Sequence, residues 1–236
     1  MVTLILLLSA YFTSIVSALA GFVGGMLLLA IMLLFLPPTV AIPVHAVVQL
    51  ISNTSRFILF RSHIQWKVCG IFLGPAIIGT LLGRELVALI HPEALRYFIA
   101  FFILVTTYFP QPKDRSPWPL WTFAIAGFFV GLLGMLVGAI GSILGPFFLH
   151  TKLLKEKMIA TQALAQATSH ALKIIGFGTL GFSFAEHGNM IILLGVATVI
   201  GTYTGKNVLK NISDKNFVLM IKIILTLIVL KLLFVN

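Results

Sequence analysis

The sequence predicts an all-α polytopic membrane protein made of two inverted-topology repeats, each with four hydrophobic segments. Three observations support this prediction. Hydrophobic residues make up 59% of the 236 residues and charged residues only 9%, a composition outside the range of water-soluble domains. Long apolar segments alternate with short polar joints along the chain. Polar residues of the first half recur at matching positions in the second half.

The apolar segments leave no room for a large aqueous domain. They cover residues 2–36, 41–60, 66–90, 95–110, 118–150, 158–182, 189–209 and 216–235. The first and fifth segments are too long for one crossing, because about 33 helical residues would extend ~50 Å across a hydrocarbon core of ~30 Å. We therefore expect both segments to be broken by glycine or to form re-entrant hairpins. Close packing of helices is the alternative explanation for any single glycine.

The second half of the chain matches the first half at an offset of 117 residues. The matched polar positions are His45 and Gln162, Gln49 and Gln166, Ser52 and Ser169, and Arg56 and Lys173. After an insertion in the second copy, Gly79–Arg84 matches Gly201–Lys206. Polar residues are rare inside membrane segments, so these matches indicate a duplication. We assign the first repeat to residues 1–110, the linker to 111–117 and the second repeat to 118–236, within a single membrane domain.

The charges of the joints indicate that the repeats are inverted. The joint after the second segment carries Arg61 and Lys67, whereas its counterpart in the second half carries Glu186 and His187. The other two pairs of joints also differ in charge. Because positive residues favour the cytoplasmic side, matching joints should lie on opposite sides of the membrane. This parity requires the first and fifth segments to enter and leave on the same side.

Polar residues on one helical face predict a binding site near the middle of the membrane. Positions 45, 49, 52 and 56 have the spacing of one helix face, and positions 162, 166, 169 and 173 repeat it. Lys173 lies well inside its apolar segment, where an ionised lysine costs ~2.5–3.5 kcal/mol, so we expect it to face a hydrated or anion-occupied interior. For Arg56, an interfacial position with its head group in water is the alternative.

Other stripe residues have more than one interpretation. Hydrogen bonding between helices is the alternative for Gln49, Gln166, Ser52 and Ser169. His45 and His170 are either proton carriers or hydrogen-bond donors to an oxyanion. The breaks in the long segments add backbone N–H groups at half-helix amino termini, which attract anions. The candidate backbone cradles are Gly24 with Gly25 and Gly141 with Ser142.

The distribution of charge favours an anionic cargo. All six acidic residues lie in joints or near segment ends, so no central carboxylate is present to bind a cation. The formal net charge of +10 reflects loop orientation rather than nucleic-acid binding. Cys69 is the single cysteine, which excludes a multi-cysteine metal cluster. We expect no cofactor, no metal site and no enzymatic activity, because no nucleophile and base are paired.

Two stretches resemble the TauE/SafE family of sulfite exporters. They are Pro43–Arg56 in the first half and the stretch from Ala160 through His170 to Lys173 in the second. The resemblance covers nearly the whole chain and includes Gly21, Gly24 and Gly25. It implies a bacterial or archaeal inner-membrane carrier for sulfite, sulfoacetate and other sulfur-containing or organic anions. This chain departs from the family pattern at the glycines: the first-half run has two adjacent glycines rather than three, and the second half has Gly141-Ser142.

The sequence therefore predicts a secondary transporter that exports small anions by alternating access at a basic polar site between the repeats. The substrate-binding candidates are Arg56, Lys173, Gln49, Gln166, Ser52, Ser169, Asn53, His170, His45, Gln162, Gly24, Gly25, Gly141 and Ser142. The alternative is a cation or metal-ion transporter that uses His45 and His170 as ligands. The expected partners are a small anion and the lipid bilayer, with no nucleic acid; a homodimer is left open.

Overall fold

The computed structural model is all-helical across the residues that it describes, which are 1–20, 23–109, 116–151, 153, 155–208 and 214–234. That part of the chain contains ten α-helices and one 3₁₀ turn, Arg61–His63. The helices are α1 (Val2–Ala20), α2 (Val23–Met32), α3 (Pro38–Leu59), α4 (Trp66–Leu89), α5 (Pro92–Tyr108), α6 (Thr122–Val137), α7 (Gly141–Leu149), α8 (Lys155–Thr179), α9 (Gly188–Val208) and α10 (Asp214–Phe234).

The first and fifth apolar segments each contain two helices, whereas every other segment contains one. In the fifth segment α6 ends at Val137, and Gly138 has a φ of 79°, a backbone conformation that favours glycine. In the first segment the joint between α1 and α2 includes Gly21, which lies outside the described residues. Gly24 and Gly25 fall in the first turn of α2, and Gly141 and Ser142 in the first turn of α7.

Both helix pairs fold back on themselves. The backbone N–H of Trp118 donates to the carbonyl of His150 at 2.9 Å, and the two rings stack with centroids 4.0 Å apart. The chain therefore enters α6 and leaves α7 at the same end of the molecule. In the other pair, Gly24 of α2 lies directly against the backbone of Thr13 and Ser17 in α1. One continuous helix would place residues 13 and 24 about 16 Å apart, so α2 returns along α1.

Close glycine contacts join α4 to α6. Gly127 lies against the carbonyl of Phe72, and Gly83 lies against Leu132. The contact positions rise together along both helices, so α4 and α6 run parallel. A side chain at these glycines would overlap the neighbouring backbone, and the small residue is what allows the helices to approach.

The pair α1 and α9 repeats this packing with the halves exchanged. Gly79 of α4 lies against the carbonyl of Phe128 in α6, and Gly201 of α9 lies against the carbonyl of Tyr11 in α1. Tyr11 and Phe128 are matched positions of the two halves, as are Gly79 and Gly201. The tyrosine hydroxyl also donates to Thr204 Oγ1 at 3.4 Å, which holds the two helices together near this point.

The central helices α3 and α8 pack against each other, and α5 contacts α10. α3 and α5 begin with Pro38 and Pro92, a favourable first position because proline lacks the N–H that would otherwise be unsatisfied. Large apolar side chains cover the outside of the helices, including Ile78, Leu81 and Ile192. This exposed apolar surface fits a lipid-facing exterior.

Two of the described helices are long and apolar enough to cross a membrane unaided. They are Trp66–Leu89 and the Gly188–Gly205 part of α9. Shorter apolar helices, Val2–Ser17, Val23–Met32 and Thr122–Val137, lie in the two folded-back pairs. Together with the composition, the arrangement is that of a multi-pass membrane protein.

Candidate functional site

The polar faces of α3 and α8 are buried in the interior of the protein. No residue of either stripe exposes more than 8% of its surface. The buried stripe residues are His45, Gln49, Ser52, Asn53 and Arg56 on α3 and Gln162, Gln166, Ser169, His170 and Lys173 on α8. Since α3 packs against α8, the structure places these predicted residues in one contiguous region between the two halves.

His45 and His170 meet at the contact between α3 and α8. Their ring centroids are 6.0 Å apart, in an edge-to-face arrangement. The Nε2 atom of His45 is 2.8 Å from the carbonyl oxygen of Gly25, in the first turn of α2. The imidazole pair therefore lies where α2 reaches the central helices.

Lys173 is almost fully buried, at 1% exposure, beside this histidine pair. Its ammonium group donates a 2.6 Å hydrogen bond to the carbonyl of Gly138, at the end of α6. The lysine charge interacts electrostatically with both His45 and His170. This group of residues therefore joins three basic side chains to the break between α6 and α7.

Arg56 is also buried, which places it in the interior rather than at the membrane interface. It donates from Nη2 to Ser52 Oγ at 3.3 Å and from Nη1 to the carbonyl of Ser17 at 3.5 Å. Ser17 belongs to α1, so Arg56 contacts the folded-back pair of the first half just as Lys173 contacts that of the second half. Each of the two matched cations therefore hydrogen-bonds a backbone carbonyl in the folded-back pair of its own half.

The buried cations have no buried carboxylate near them among the described side chains. Glu85, Glu93, Glu156 and Glu186 are all exposed. The ion pair between Arg84 and Glu85 lies at the surface. An ionised side chain inside a membrane protein needs a counter-charge or water.

Several predicted site residues have buried polar atoms without a hydrogen-bond partner in the described structure. These atoms are His45 Nδ1, His170 Nδ1, Asn53 Oδ1, Gln162 Nε2 and Ser142 Oγ. A buried polar atom without a partner costs ~1–3 kcal/mol, and most such atoms in proteins are satisfied. Four of these five atoms lie on the two stripes, and the fifth, Ser142 Oγ, lies in the first turn of α7.

The glycines of α2 bring the backbone close to the stripes. A Cβ on Gly25 would fall 3.1 Å from the side-chain amide nitrogen of Gln49, so glycine lets this amide approach α2. Gly24 is packed against α1. Gly141 is buried at the start of α7, next to Ser142.

A cavity of about 430 Å³ lies away from both stripes. It is lined by Leu33–Pro38, Pro92, Glu93, Arg96 and Lys231, at the ends of α2, α5 and α10. None of the predicted site residues lines it, so size alone does not identify the site. The buried charges of Arg56 and Lys173 lie instead on the stripes.

The described residues contain no group of three or more histidine, cysteine, aspartate or glutamate side chains that could hold a metal ion. The central pair of imidazoles lies instead beside the positive charge of Lys173. A divalent metal at this place would be repelled rather than neutralised.

Comparison with known proteins identifies the family of this chain. The family model described as "Sulfite exporter TauE/SafE" matches residues 6–232. The chain belongs to the TauE/SafE family. The match covers nearly the whole chain, as the sequence resemblance predicted, and it includes both stripes. A search of curated proteins found no match, and a search of solved structures found none either.

Membership of TauE/SafE makes the chain an integral membrane protein of a family of transporters rather than enzymes. Two buried hydroxyl residues were not identified from the sequence. Ser17 supplies a carbonyl to Arg56, and Thr198 of α9 is fully buried with an unpartnered hydroxyl. Neither residue belongs to a matched polar pair, so repeat comparison could not find them.

Proposed function

We propose that this protein is a secondary transporter that exports small anions such as sulfite, organosulfonates or related sulfur-containing or organic anions. The observation that carries the proposal is the pair of cations, Arg56 and Lys173, buried at matched positions of the two central helices. The anion would neutralise these charges and satisfy the free hydrogen-bonding atoms around them.

The proposed architecture is a pair of inverted repeats, residues 1–110 and 118–236 joined by residues 111–117. The exchanged packing supports it: α4 lies along α6 as α9 lies along α1, with Gly79 and Gly201 against matched carbonyls. Because α7 ends where α6 begins, the fifth segment enters and leaves on the same side, which inverted repeats need. Transporters with inverted repeats bind their cargo near the middle of the bilayer, between the repeats.

Symmetry would divide the site into two half-sites. His45 is matched by Gln162, and His170 is matched by Asn53. In the second half-site Gln162 and Asn53 would take the places of His45 and His170. The first half-site holds the two imidazoles and Lys173, and the second holds the two amides and Arg56. Alternating access would expose first one half-site and then the other to the solution on its side of the membrane.

The orientation follows from the basic end of the molecule. The backbone N–H of Gln65, at the start of α4, donates to Thr161 Oγ1 of α8 at 3.0 Å. The starts of α4 and α8 therefore lie at the same end, and so do Lys67 and Lys157. Under the positive-inside rule this end faces the cytoplasm. We place the protein in the inner membrane of a bacterium or archaeon, with the Arg56 half-site nearer the cytoplasm.

The proposal is tested by measuring anion binding and flux. Purified protein is screened by thermal shift against sulfite, thiosulfate, sulfoacetate, sulfate and lactate, and the ligand that binds is followed into proteoliposomes. We expect Lys173→Ala to abolish flux while the protein stays folded. Lys67→Ala, which removes an exposed lysine, is the matched control and should keep wild-type flux. Undiminished flux in Lys173→Ala, or stabilisation by none of the anions, would reject the proposed role.

A further inference from the structure

We infer that the anion is bound together with one proton, which His45 holds at Nδ1. This inference rests on the proposed function and specifies the form in which the cargo travels. It comes from the hydrogen bonding of the imidazole and from the charges around it.

The contact with Gly25 fixes the tautomer of His45. Its Nε2 atom lies 2.8 Å from a carbonyl oxygen, which can only accept a hydrogen bond. Nε2 must therefore carry the hydrogen. A neutral imidazole has one N–H, so Nδ1 of His45 carries a lone pair and cannot donate to an anion until it is protonated.

Nδ1 of His45 points to no partner in the described structure, although the residue is 1% exposed. The groups that face it are those of α8, where His170 also has an unpartnered Nδ1 and where Lys173 supplies a positive charge. Arg56 follows on the same helix as His45. The packed helix α2 has no titratable residue, and the titratable residues described on α5 and α9 lie near helix ends or are exposed.

The charge balance couples the proton to the anion. A proton on His45 in the empty site would add a further positive charge beside Lys173, with no described buried carboxylate to offset it. An anion in the site reverses this balance. The protonated Nδ1 then donates a charge-assisted hydrogen bond to an anionic oxygen while Lys173 donates another.

The proton comes from solution or from an acidic O–H of the cargo itself, and it moves onto the Nδ1 lone pair. It leaves that atom when the anion leaves. A monoanion carried in this way moves no net charge across the membrane, so the concentration gradients of the cargo and of the proton, and not the membrane potential, determine the direction of transport. The matched residue of the other half, Gln162, cannot take up a proton, which confines the coupling to the Lys173 half-site.

The experiment is isothermal titration calorimetry of methanesulfonate binding in buffers that differ in ionisation enthalpy. Methanesulfonate has no acidic proton of its own at neutral pH, so any proton that enters the site comes from the buffer. We expect the wild-type protein to take up about one proton per anion bound. His45→Gln, which copies the residue at the matched position, should bind the anion without proton uptake. Binding to the wild-type protein with no proton uptake would overturn the inference and leave the proposed function intact.

His150→Gln is the control variant. His150 is also buried, with Nδ1 against the carbonyl of Ser116 at 2.9 Å and Nε2 without a partner, but it lies at the open end of the α6–α7 pair. Proton uptake should be unchanged in this variant, and its loss there would overturn the assignment to His45. Failure of the wild-type protein to bind any sulfonate or sulfite would overturn both proposals.

Flux gives a second readout. In proteoliposomes with a potassium diffusion potential, methanesulfonate flux through the wild-type protein should not respond to the potential. The flux that remains in His45→Gln should respond to it, because the anion would then cross without its proton. Wild-type flux that follows the potential would contradict the inference.

Discussion

The ammonium group of Lys173 hydrogen-bonds the carbonyl of Gly138, so the buried charge of α8 is tied to the point where α6 ends. Gly138 has the positive φ that turns the chain towards α7. An ammonium group has three donors, and the described structure uses one of them here. The remaining donors are free for an anion, and the position of the lysine depends on the turn at Gly138.

We therefore expect Gly138→Ala to be costly both to stability and to anion binding. Alanine at positive φ is strained by ~1–2 kcal/mol. A Cβ at this position would also fall 3.0 Å from Leu29 and 3.3 Å from Ile42, and such overpacking adds ~1–3 kcal/mol. Thermal unfolding in detergent, with and without the anion, measures both effects.

Gly181 provides the matched control for that substitution. Its φ is 87°, close to that of Gly138, but no atom lies within 4 Å of a Cβ built there. Gly181→Ala should show the backbone strain without the overpacking and should keep wild-type anion affinity. Equal losses of stability in the two variants would show that the contacts with Leu29 and Ile42 do not matter.

The glycines at the exchanged helix contacts should be intolerant of any side chain. In Gly79→Ala or Gly201→Ala, the new Cβ overlaps a backbone carbonyl, which cannot move without separating the helices. We expect both variants to lose stability by ~1–3 kcal/mol or more. Gly74→Ala, where no atom lies within 4 Å, should be neutral or more stable by ~0.5–1 kcal/mol because alanine favours helix.

Comparable losses in Gly79→Ala and Gly201→Ala are the result that inverted repeats require, since the two positions are matched. The melting temperatures in one detergent are sufficient for the comparison. If only one of the pair were destabilised, the exchanged packing would not be a shared property of the two halves.

We expect anion binding to need the guanidinium group of Arg56 and not only its positive charge. Arg56 contacts Ser52 through one terminal nitrogen and the Ser17 carbonyl through the other. A lysine has a single nitrogen at its tip and cannot hold both positions while also binding an anion. Loss of one charged hydrogen bond costs ~1.5–3 kcal/mol, so Arg56→Lys should weaken anion binding by about 10- to 100-fold.

Direct binding measurements on purified Arg56→Lys check this value. Arg61→Lys, at an exposed position of the 3₁₀ turn, is the control and should bind with wild-type affinity. Unchanged affinity in Arg56→Lys would mean that the anion does not reach this half-site.

Sequence alone was sufficient to predict an all-helical membrane protein and a buried position for Lys173. Membrane segments can be identified by the length of their apolar stretches, because the thickness of the bilayer sets the length of a helix that crosses it. Lys173 lies far from either end of its segment, so burial followed from position alone. Arg56 lies closer to a helix end, where the interfacial alternative remained open, and only its contacts with Ser17 and Ser52 place it inside.

The contacts between helices could not be predicted from the sequence. The distance between His45 and His170 depends on which helix packs against α3. Helical spacing shows which residues share a face of a helix, but it does not show which other helix that face contacts. Ser17 and Thr198 are small polar residues in apolar helices, where a hydroxyl commonly bonds its own backbone and gives no indication of a site. The tautomer of His45 depends on the carbonyl of Gly25, a backbone atom that no side-chain pattern reveals.

The last prediction separates the anion site from a metal site. Zinc sites in proteins use three or four ligands, whereas His45 and His170 supply two imidazoles beside the charge of Lys173. Zinc ions should therefore neither stabilise the wild-type protein nor compete with anions. Lys173→Glu removes the repulsion and adds a carboxylate, so we expect this variant to gain zinc binding while it loses anion binding. Thermal shift with zinc and with sulfite measures both effects in the same samples. Zinc binding by the wild-type protein that His45→Gln removes would favour a metal transporter over an anion carrier.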